Sequence, residues 1–406
     1  MLMVFIFRQK AHLKYFTFER QCDILKSALI QLRVIILNKY DVAAYVWPAY
    51  TGDEGRSLIF WPEGYGEWET VKAAKAQFDG HKWPRKPLWG YCNEADPYVM
   101  EMQIEAAVDH GVNVFIYDWY WYDNRPFLEQ CLNNGFLKAK NRSKMKFYLM
   151  WANHNVTYGW DRRISEKDFD TVIWKGAVNS EQFHTIGMRW LEKYFCLDEY
   201  YKIDNRPVLS IYDLQNLIYG LGGIENARKE LLWLDEEAKK QGFNGMHYQL
   251  VKYGRVKTNL SGFDGNEKTY KPHELVGYLP FSSLTHYQFV HFSKMNDDYK
   301  NIMEQVRTEW QECEDNFNIP YIPHVSIGWD NTPRYAGHIH NVVKNNTPQA
   351  FEDALRQAKE LADKTGVNMI TVNSWNEWTE TSYLQPDNIY GYGYLDAVKR
   401  VFKESD

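Results

Sequence analysis

The segment TPQAFEDALRQAKELADKTGVNMITVNSWNEWTE, residues 347–380, contains the pattern from which the architecture can be predicted. Thr347 and Pro348 are typical of a helix start, and Gly366 is typical of a helix end. Apolar side chains recur on one face between them, namely Phe351, Leu355, Ala358 and Ala362. The run NMITVNSW (368–375) then has the composition of a buried strand. A helix followed by such a strand predicts a parallel sheet covered by helices.

The same pattern recurs along the chain. The segment DPYVMEMQIEAAVDHG (96–111) has Asp96 as N-cap, Pro97 at the first helical position and Gly111 just past the end. Eight segments have strand character: 42–47, 112–121, 146–153, 206–213, 245–251, 284–290, 321–330 and 368–375. We therefore predict an α/β fold, a single (β/α)8 TIM-type barrel over residues 41–406 with long strand-to-helix loops. A doubly wound open sheet is the alternative, but VWPAYTGDEG (46–55) lacks a glycine-rich phosphate turn.

The first 40 residues do not fit this pattern. Their apolar run breaks at Arg8, and no small-residue cleavage site follows, so they do not resemble a signal peptide. We expect residues 1–40 to be an extension outside the barrel, either an amphipathic basic segment or sequence upstream of the true start. We place the protein in the periplasm or at the cell surface if an export signal was lost or misassigned, and in the cytoplasm otherwise.

The composition excludes several classes of protein. A net charge of −6 argues against a nucleic-acid partner. The five cysteines are widely spaced and form no metal knuckle or disulfide framework, and no apolar stretch is long enough to span a bilayer. We expect a monomer with no metal, no cofactor and no transmembrane segment. The aromatic content of 16% fits either an aromatic core or a carbohydrate site, where sugar rings stack on aromatic rings.

Polar and aromatic side chains follow the apolar run in seven of the eight predicted strands. In a TIM barrel the active site is built from the carboxyl ends of the strands. We predict that Asp118, Asn153, Asp330 and Glu377 point to one mouth of the barrel. The side chains predicted to bind substrate there are Trp47, Asp118, Trp119, Tyr120, Trp121, Trp151, Asn153, His154, Tyr287, Trp329, Asp330, Asn376 and Trp378.

Two carboxylates, Glu377 and Glu380, end the last strand segment. Strand periodicity places Asn373, Trp375 and Glu377 on one face, and we expect that face to look into the barrel. Two nearby carboxylates among aromatic rings suit glycoside hydrolysis, which needs an acid and a base or nucleophile around the scissile bond. The spacing alone is equally consistent with a structural glutamate and a solvated loop glutamate.

Three ordered blocks carry a resemblance to a known family. They are NSWNEWTETSYLQPD (373–387) followed by YGYGYLDAVKRVF (390–402), WGYCNEADPYVMEMQIEAAVDHGVNVFIYDWYWYDNRPFLE (89–129) and FYLMWANHNVTYGWD (147–161). They resemble glycoside hydrolase family 99 and, more closely, the related WbsX-like proteins of bacterial polysaccharide gene clusters. The resemblance covers residues 42–403.

The resemblance implies a (β/α)8 barrel and the chemistry of retaining α-mannosidases. Glu377 matches the residue that deprotonates the sugar 2-hydroxyl to give a 1,2-anhydro sugar, and Glu380 matches the general acid and base. The implied substrate is an α-linked, mannan-like oligo- or polysaccharide. Thr379 departs from the pattern, because mannosidases of family 99 commonly have histidine there.

Two other functions stay open. One is a glycosyltransferase of surface-polysaccharide biosynthesis, which is how WbsX-like proteins are often labelled. The other is a non-catalytic glycan-binding barrel. The chain has no D-x-D motif after a Rossmann-type unit, which favours hydrolysis over transfer. The presence of both Glu377 and Glu380 counts against a binding-only role.

Overall fold

The structure is a computed structural model that describes residues 39–52, 54–252, 271–335 and 341–403. Eight parallel strands form a barrel in the order β6-β5-β4-β3-β2-β1-β8-β7. They are β1 (Asp41–Val46), β2 (Val114–Tyr122), β3 (Lys146–Trp151), β4 (Arg206–Ile211), β5 (His247–Val251), β6 (Phe281–Thr285), β7 (His324–Ser326) and β8 (Met369–Asn373). Between β6 and β7 the Leu284 N–H donates to the Pro320 carbonyl (3.0 Å), and the Ile322 N–H donates to the Leu284 carbonyl (2.8 Å). The predicted (β/α)8 architecture is confirmed.

Helices follow all of these strands except β2, whose connection to β3 carries a short strand and 3₁₀ and π turns instead. The helices are α1 (Trp68–Ala73), α2 (Pro97–Asp109), α3 (Ser165–Asp168), α4 (Ser180–Trp190), α5 (Leu214–Gly220), α6 (Ile224–Lys240), α7 (Pro272–Tyr278), α8 (Tyr299–Asn316), α9 (Pro348–Thr365) and α10 (Gly393–Phe402). Within the described part of the chain, none of these helices is both long and apolar enough to span a membrane.

The loops carry short elements of their own. Short strands pair as hairpins or with the barrel at Arg125–Phe127, Val156–Thr157, Val172–Trp174, Lys202–Ile203, Asn376–Glu377 and Ser382–Tyr383. Single 3₁₀ turns lie at Gly55–Ile59, Phe136–Lys138, Arg142–Lys144, Tyr158–Trp160, Phe289–His291 and Trp378–Glu380, and π turns at Cys131–Gly135 and Leu191–Phe195. Most of these elements follow the carboxyl ends of barrel strands, so they build up the rim above the site.

The helix boundaries follow the sequence signals. The Asp96 side chain accepts a hydrogen bond from the Tyr98 N–H at the start of α2, and the Thr347 hydroxyl accepts one from the Ala350 N–H at the start of α9. Gly366 adopts the left-handed conformation (φ +74°) that ends α9. The four apolar side chains predicted to share one face of α9 are all buried.

Two strands differ from the sequence-based boundaries. The sixth strand was predicted at 284–290 and lies at Phe281–Thr285, so His286 and Tyr287 follow it. The seventh is shortened to His324–Ser326 within the predicted 321–330. Both segments mix polar and apolar residues, which weakens the apolar run that marks a buried strand.

The predicted boundary of the extension can be compared with the structure only at its last residues. Residues 1–38 lie outside the described part of the chain. Tyr40 is buried, its hydroxyl donates to Asp363 of α9, and Lys39 forms an ion pair with the same carboxylate. Lys39 and Tyr40 therefore pack with the barrel, although the predicted extension included them.

A chain that begins at Lys39 should fold and unfold like the full chain. Its first strand begins at Asp41, and the contacts of Lys39 and Tyr40 with α9 are kept. We expect the same circular dichroism spectrum and a melting temperature unchanged within about 2 °C, since all the described residues of the barrel and their contacts are kept. A chain that aggregates or melts much earlier would place part of residues 1–38 in the domain.

Candidate active site

A pocket of about 390 Å³ lies at the carboxyl ends of the barrel strands. It receives side chains from the carboxyl-terminal half of β2 and from the segments after β1, β3, β4, β6, β7 and β8, as expected for the active face of a TIM barrel. Its lining includes Trp47, Asp118, Tyr120, His154, Trp160, Tyr212, Asp213, Tyr287, Arg334, Tyr335, Glu377 and Glu380.

One guanidinium group bridges the two glutamates predicted to be catalytic. Arg334 Nη2 donates to Glu377 Oε1 (3.0 Å), and Arg334 Nη1 donates to Glu380 Oε1 (3.0 Å). The second oxygen of each carboxylate, Oε2, is buried and has no hydrogen-bond partner among the described residues. Each carboxylate is therefore fixed through one oxygen, and the other can interact with a ligand in the pocket.

A third glutamate holds the other side of Arg334. Glu67, from the loop after β1, accepts from Arg334 Nε at Oε1 (2.7 Å) and from Nη2 at Oε2 (3.1 Å). The Trp47 indole N–H also donates to Glu67 Oε2 (2.5 Å), and the guanidinium lies 5.7 Å from the Trp47 ring. One cation thus faces three buried carboxylates.

This excess of negative charge affects protonation. Burial raises the pKa of Glu377 well above its usual value, and the nearby Glu380 charge raises it further. Burial also raises the pKa of Glu380, to about 7, although Arg334 opposes the shift. Because the two groups interact strongly, their protons belong to the pair. The pair keeps a proton near neutral pH, as an acid–base pair requires.

Asp118 adds a fourth carboxyl group to the pocket. Its Oδ2 accepts from the Tyr287 hydroxyl (2.9 Å), while its buried Oδ1 has no hydrogen-bond partner in the described part of the chain. Burial raises the pKa of Asp118 well above its usual value, although the Tyr287 hydrogen bond opposes the shift. A protonated Asp118 can donate to a hydroxyl group and also accept from one.

The rest of the pocket is largely aromatic. Trp160 contacts Trp47 edge-to-face at 5.0 Å and Tyr120 at 5.9 Å, and Tyr212 contacts Tyr287 at 5.5 Å. His154 lies between these groups, 5.4 Å from Tyr212, and burial lowers its pKa, so it is neutral near pH 7. Rigid rings beside a few polar groups form a surface suited to the alternating C–H and hydroxyl groups of a sugar.

Seven of the predicted site residues line this pocket. They are Trp47, Asp118, Tyr120, His154, Tyr287, Glu377 and Glu380. They come from five strand ends, those of β1, β2, β3, β6 and β8, and their roles toward a substrate stay predictions.

Three predicted tryptophans lie outside the pocket because strand alternation turns them toward the helices. Trp119 donates its indole N–H to Glu129 (2.8 Å) and packs against Trp190 of α4. Trp121 stacks against Trp119, and Trp151 also packs against Trp190. Along β2, Asp118 and Tyr120 face the inside of the barrel, whereas Trp119 and Trp121 face outward.

Two predicted asparagines connect neighbouring strand ends instead of lining the pocket. Asn153 accepts from the Asp213 N–H (2.7 Å) and donates to the Asp213 carbonyl (2.8 Å). Asn376 forms the same pair of bonds with the backbone of Trp47, both at 2.8 Å, and donates to the buried Glu94 (2.7 Å). Both amides therefore fix the loops that carry pocket residues.

The remaining predicted residues also have other surroundings. Trp378 is buried, stacks on Tyr383 at 3.8 Å and donates to Gln385 (2.7 Å). Trp329 packs against the core and does not line this pocket. Asp330 faces a separate cavity, where it is hydrogen bonded to His81 (2.7 Å) and Trp83 (2.8 Å).

The strand-periodicity argument was wrong for Trp375. Strand β8 ends at Asn373, and the Trp375 indole N–H donates to Gln103 of α2 (2.9 Å). The side chain therefore faces the helix layer, while Asn373 accepts from Gln288 in the barrel (2.9 Å) and Glu377 reaches the pocket. The alternation does not continue past the end of a strand.

Neither Glu67 nor Arg334 is among the residues predicted from the sequence to form the site. They are 267 residues apart in the sequence. Neither belongs to a local motif. The available signal is indirect, because two carboxylates buried side by side need a nearby cation to limit their mutual repulsion.

One group of potential metal ligands occurs among the described residues outside the pocket. His286, Glu309 and Cys313 have atoms within 4.8 Å of one another. Lys252 already forms an ion pair with Glu309, and the His286 ring is hydrogen bonded to Tyr321 (2.8 Å). These side chains therefore already have hydrogen-bond or ion-pair partners within the protein. The expectation that the protein needs no metal stays a prediction.

Comparison with known proteins identifies the family of the chain. A family model described as glycosyltransferase WbsX matches residues 44–398. The protein WxcX of Xanthomonas campestris pv. campestris, described as uncharacterized, is 26% identical over 348 residues, 84% of this chain and 46% of the relative, and the same match is found in two strains. The chain thus spans about half the length of the curated relatives that it matches.

Solved structures share the fold at low sequence identity. An endo-α-mannosidase of glycoside hydrolase family 99 from Bacteroides thetaiotaomicron is 13% identical, with a TM-score of 0.53 over 90% of this chain and 96% of that one. A glycoside hydrolase-like protein is 16% identical, with a TM-score of 0.55 over 90% and 94% of the two chains. These likenesses support the barrel, and at this identity they do not by themselves transfer an activity.

Proposed function

The chain belongs to the WbsX family. We propose that it is a glycan-processing enzyme, specifically a glycoside hydrolase. We further propose that it cleaves an α-linked, mannan-like glycan with retention of configuration. The observation that carries the proposal is the pair Glu377 and Glu380, each held by Arg334 through one oxygen, with the other oxygen buried and unpartnered in an aromatic pocket.

The proposed first step breaks the glycosidic bond. Glu377 removes the proton from the sugar 2-hydroxyl, and that oxygen attacks the anomeric carbon. The bond to the leaving oxygen breaks as Glu380 donates its proton to that oxygen. The product is a 1,2-anhydro sugar. Because burial and mutual repulsion let the pair keep a proton near neutral pH, the two glutamates together can supply the acid and the base of this step.

The proposed second step consumes the anhydro sugar. Glu380, now ionised, takes a proton from water as the water oxygen bonds to the anomeric carbon. The bond from the anomeric carbon to the 2-oxygen breaks, and Glu377 returns its proton to that oxygen. Two inversions give overall retention, and both glutamates end in their starting protonation states. The sugar oxygen replaces the enzyme carboxylate that serves as nucleophile in ordinary retaining enzymes.

The charge of the pocket supports hydrolysis over transfer from a sugar nucleotide. Of the described residues lining it, Arg334 is the single Lys or Arg, and three glutamates already engage it. Asp118, Asp213, Glu377 and Glu380 line the same space. A diphosphate would need compensating cations or dipoles, which this set does not supply.

The test is incubation with a panel of α-mannans and bacterial polysaccharides, with and without sugar nucleotides. We expect product release without any donor. Turnover that requires a sugar nucleotide would support a glycosyltransferase, and binding without turnover in either arm would support a glycan-binding barrel. Each of these two outcomes would contradict the hydrolase proposal.

Glu380→Gln should make stability less dependent on pH. The pKa of Glu380 is raised from 4.5 to about 7, so between these values the folded protein binds more protons than the unfolded chain. The free energy of unfolding therefore falls as pH rises through this window. Glutamine does not titrate, so we expect the variant to gain about 1–3 kcal/mol relative to wild type between about pH 5 and about pH 8. Urea unfolding at several pH values measures this, and parallel curves for both proteins would contradict it.

A further inference from the structure

A second cavity of about 250 Å³ lies beside the active-site pocket. We call it the basic pocket and define it by the polar side chains that line it. They are His81, Lys82, Arg85, Asp330, Lys344, Asn345, Asn346 and Thr381. It joins the loop after β1, the loop after β7 and the segment that follows Glu380.

The basic pocket has an excess of positive charge over the described acidic groups. Asp330 is its one acidic lining residue in the described part of the chain, and His81 and Trp83 already bind it. Lys82 donates to a neutral group, the Tyr390 hydroxyl (2.6 Å). Lys82 and Lys344 are exposed, and no ion pair to a described acid compensates either.

Two buried polar atoms at this cavity have no partner within the described ranges. They are Arg85 Nε and Thr381 Oγ1, on side chains that are 5% and 4% exposed. Arg85 is otherwise held by the Tyr383 hydroxyl (3.1 Å) and by Asp387 (3.7 Å). A buried donor without an acceptor is costly, which indicates that a ligand supplies one.

The basic pocket is covalently next to the catalytic pair. Thr381 follows Glu380 directly, and the Asp330 N–H donates to the Glu380 carbonyl (2.8 Å). Thr381 also has a left-handed backbone (φ +55°), which is uncommon for a β-branched residue and occurs mainly where other interactions impose it. A glycan bound at Glu380 would pass close to this cavity.

We propose that the basic pocket binds an anionic substituent, a sugar carboxylate or a phosphate, of the glycan on which the enzyme acts. The glycan context rests on the proposed function, whereas the binding of the anion does not. The active-site pocket then holds the glycosidic bond to be cleaved, and the basic pocket selects glycans that carry a negative charge near that bond. Arg and Lys donors around a carboxylate or phosphate make charge-assisted hydrogen bonds, which are stronger than neutral ones.

The test measures binding of glucuronic acid, glucose 6-phosphate and glucose by calorimetry at low salt. We compare wild type, Lys82→Gln/Lys344→Gln and the matched control Lys239→Gln/Lys240→Gln, which removes the same charge from exposed positions of α6. We expect both anionic sugars to bind more tightly than glucose. The pocket variant should lose roughly tenfold to hundredfold in affinity for them, and the control should lose almost none. The tighter of the two anionic sugars identifies carboxylate or phosphate as the preferred group.

Several outcomes would overturn the inference. They are equal affinity for glucose and for the two anionic sugars, unchanged affinity in the pocket variant, and an equal loss in the control, which would indicate a general charge effect. All substituted lysines are exposed, so folding should be kept, and circular dichroism verifies this. No turnover is measured, so a negative result leaves the proposed hydrolysis standing, and a failure of hydrolysis leaves the anion site standing.

Discussion

Glu377→Gln should lose activity toward every glycoside, while Glu380→Gln should lose it selectively toward substrates with poor leaving groups. Glu380 is proposed to protonate the leaving oxygen, and an activated aryl leaving group needs little protonation. Glu377 is proposed to act at the 2-hydroxyl, whose deprotonation is needed whatever the leaving group. Each loss on a natural glycan should be on the order of 10²–10⁴-fold, the usual contribution of a positioned acid or base.

The measurement is kcat/KM for both variants on paired natural and aryl α-mannosides. The double variant should be only slightly worse than the poorer single variant, because both groups act in one step. Asp161→Asn, a change to a buried carboxylate outside the pocket, serves as control. Near-normal rates in both folded variants would make these carboxylates structural and would remove the basis of the hydrolase proposal.

Arg334→Met should strongly destabilise the protein at neutral pH. The substitution leaves three buried carboxylates, Glu67, Glu377 and Glu380, without their shared cation. Breaking a buried ion pair from one side costs about 3–5 kcal/mol. The loss should shrink as pH falls, because the carboxylates then take up protons and lose their charge.

Chemical denaturation at several pH values measures this effect. Lys144→Met is the control, since Lys144 pairs with Glu105 and the two side chains are 50% and 46% exposed. An exposed pair of this kind contributes about 0–1 kcal/mol. Adding Glu67→Gln to Arg334→Met should recover part of the stability by removing one unpaired charge. Equal losses for Arg334→Met and Lys144→Met, with no dependence on pH, would contradict the bridging role.

The fold was accessible from the sequence because its signals are local. The caps of α2 and α9 and the apolar runs of β2 and β8 identify a helix followed by a strand. The weaker strands β6 and β7 were located only approximately, since their polar residues interrupt the apolar run.

The site was accessible only in part. Strand ends indicated the right face of the barrel, and seven predicted residues line the pocket. Alternation along β2 separates Asp118 and Tyr120 from Trp119 and Trp121, which a run of aromatic letters does not indicate. The ion pair of Arg334 with Glu67 joins two loops far apart in the sequence, and no short-range pattern predicts it.

In the proposed function, water cleaves a glycosidic bond at Glu377 and Glu380 without a sugar donor. The most direct test is to incubate the enzyme with the polysaccharide panel in water enriched in oxygen-18, with no sugar nucleotide, and to analyse the new reducing ends by mass spectrometry. We expect reducing ends that carry one oxygen atom from water, formed by wild type and lost in Glu377→Gln and Glu380→Gln on natural glycans. Product that forms only when a sugar nucleotide is added, or labelled product at equal rates in all three proteins, would contradict it.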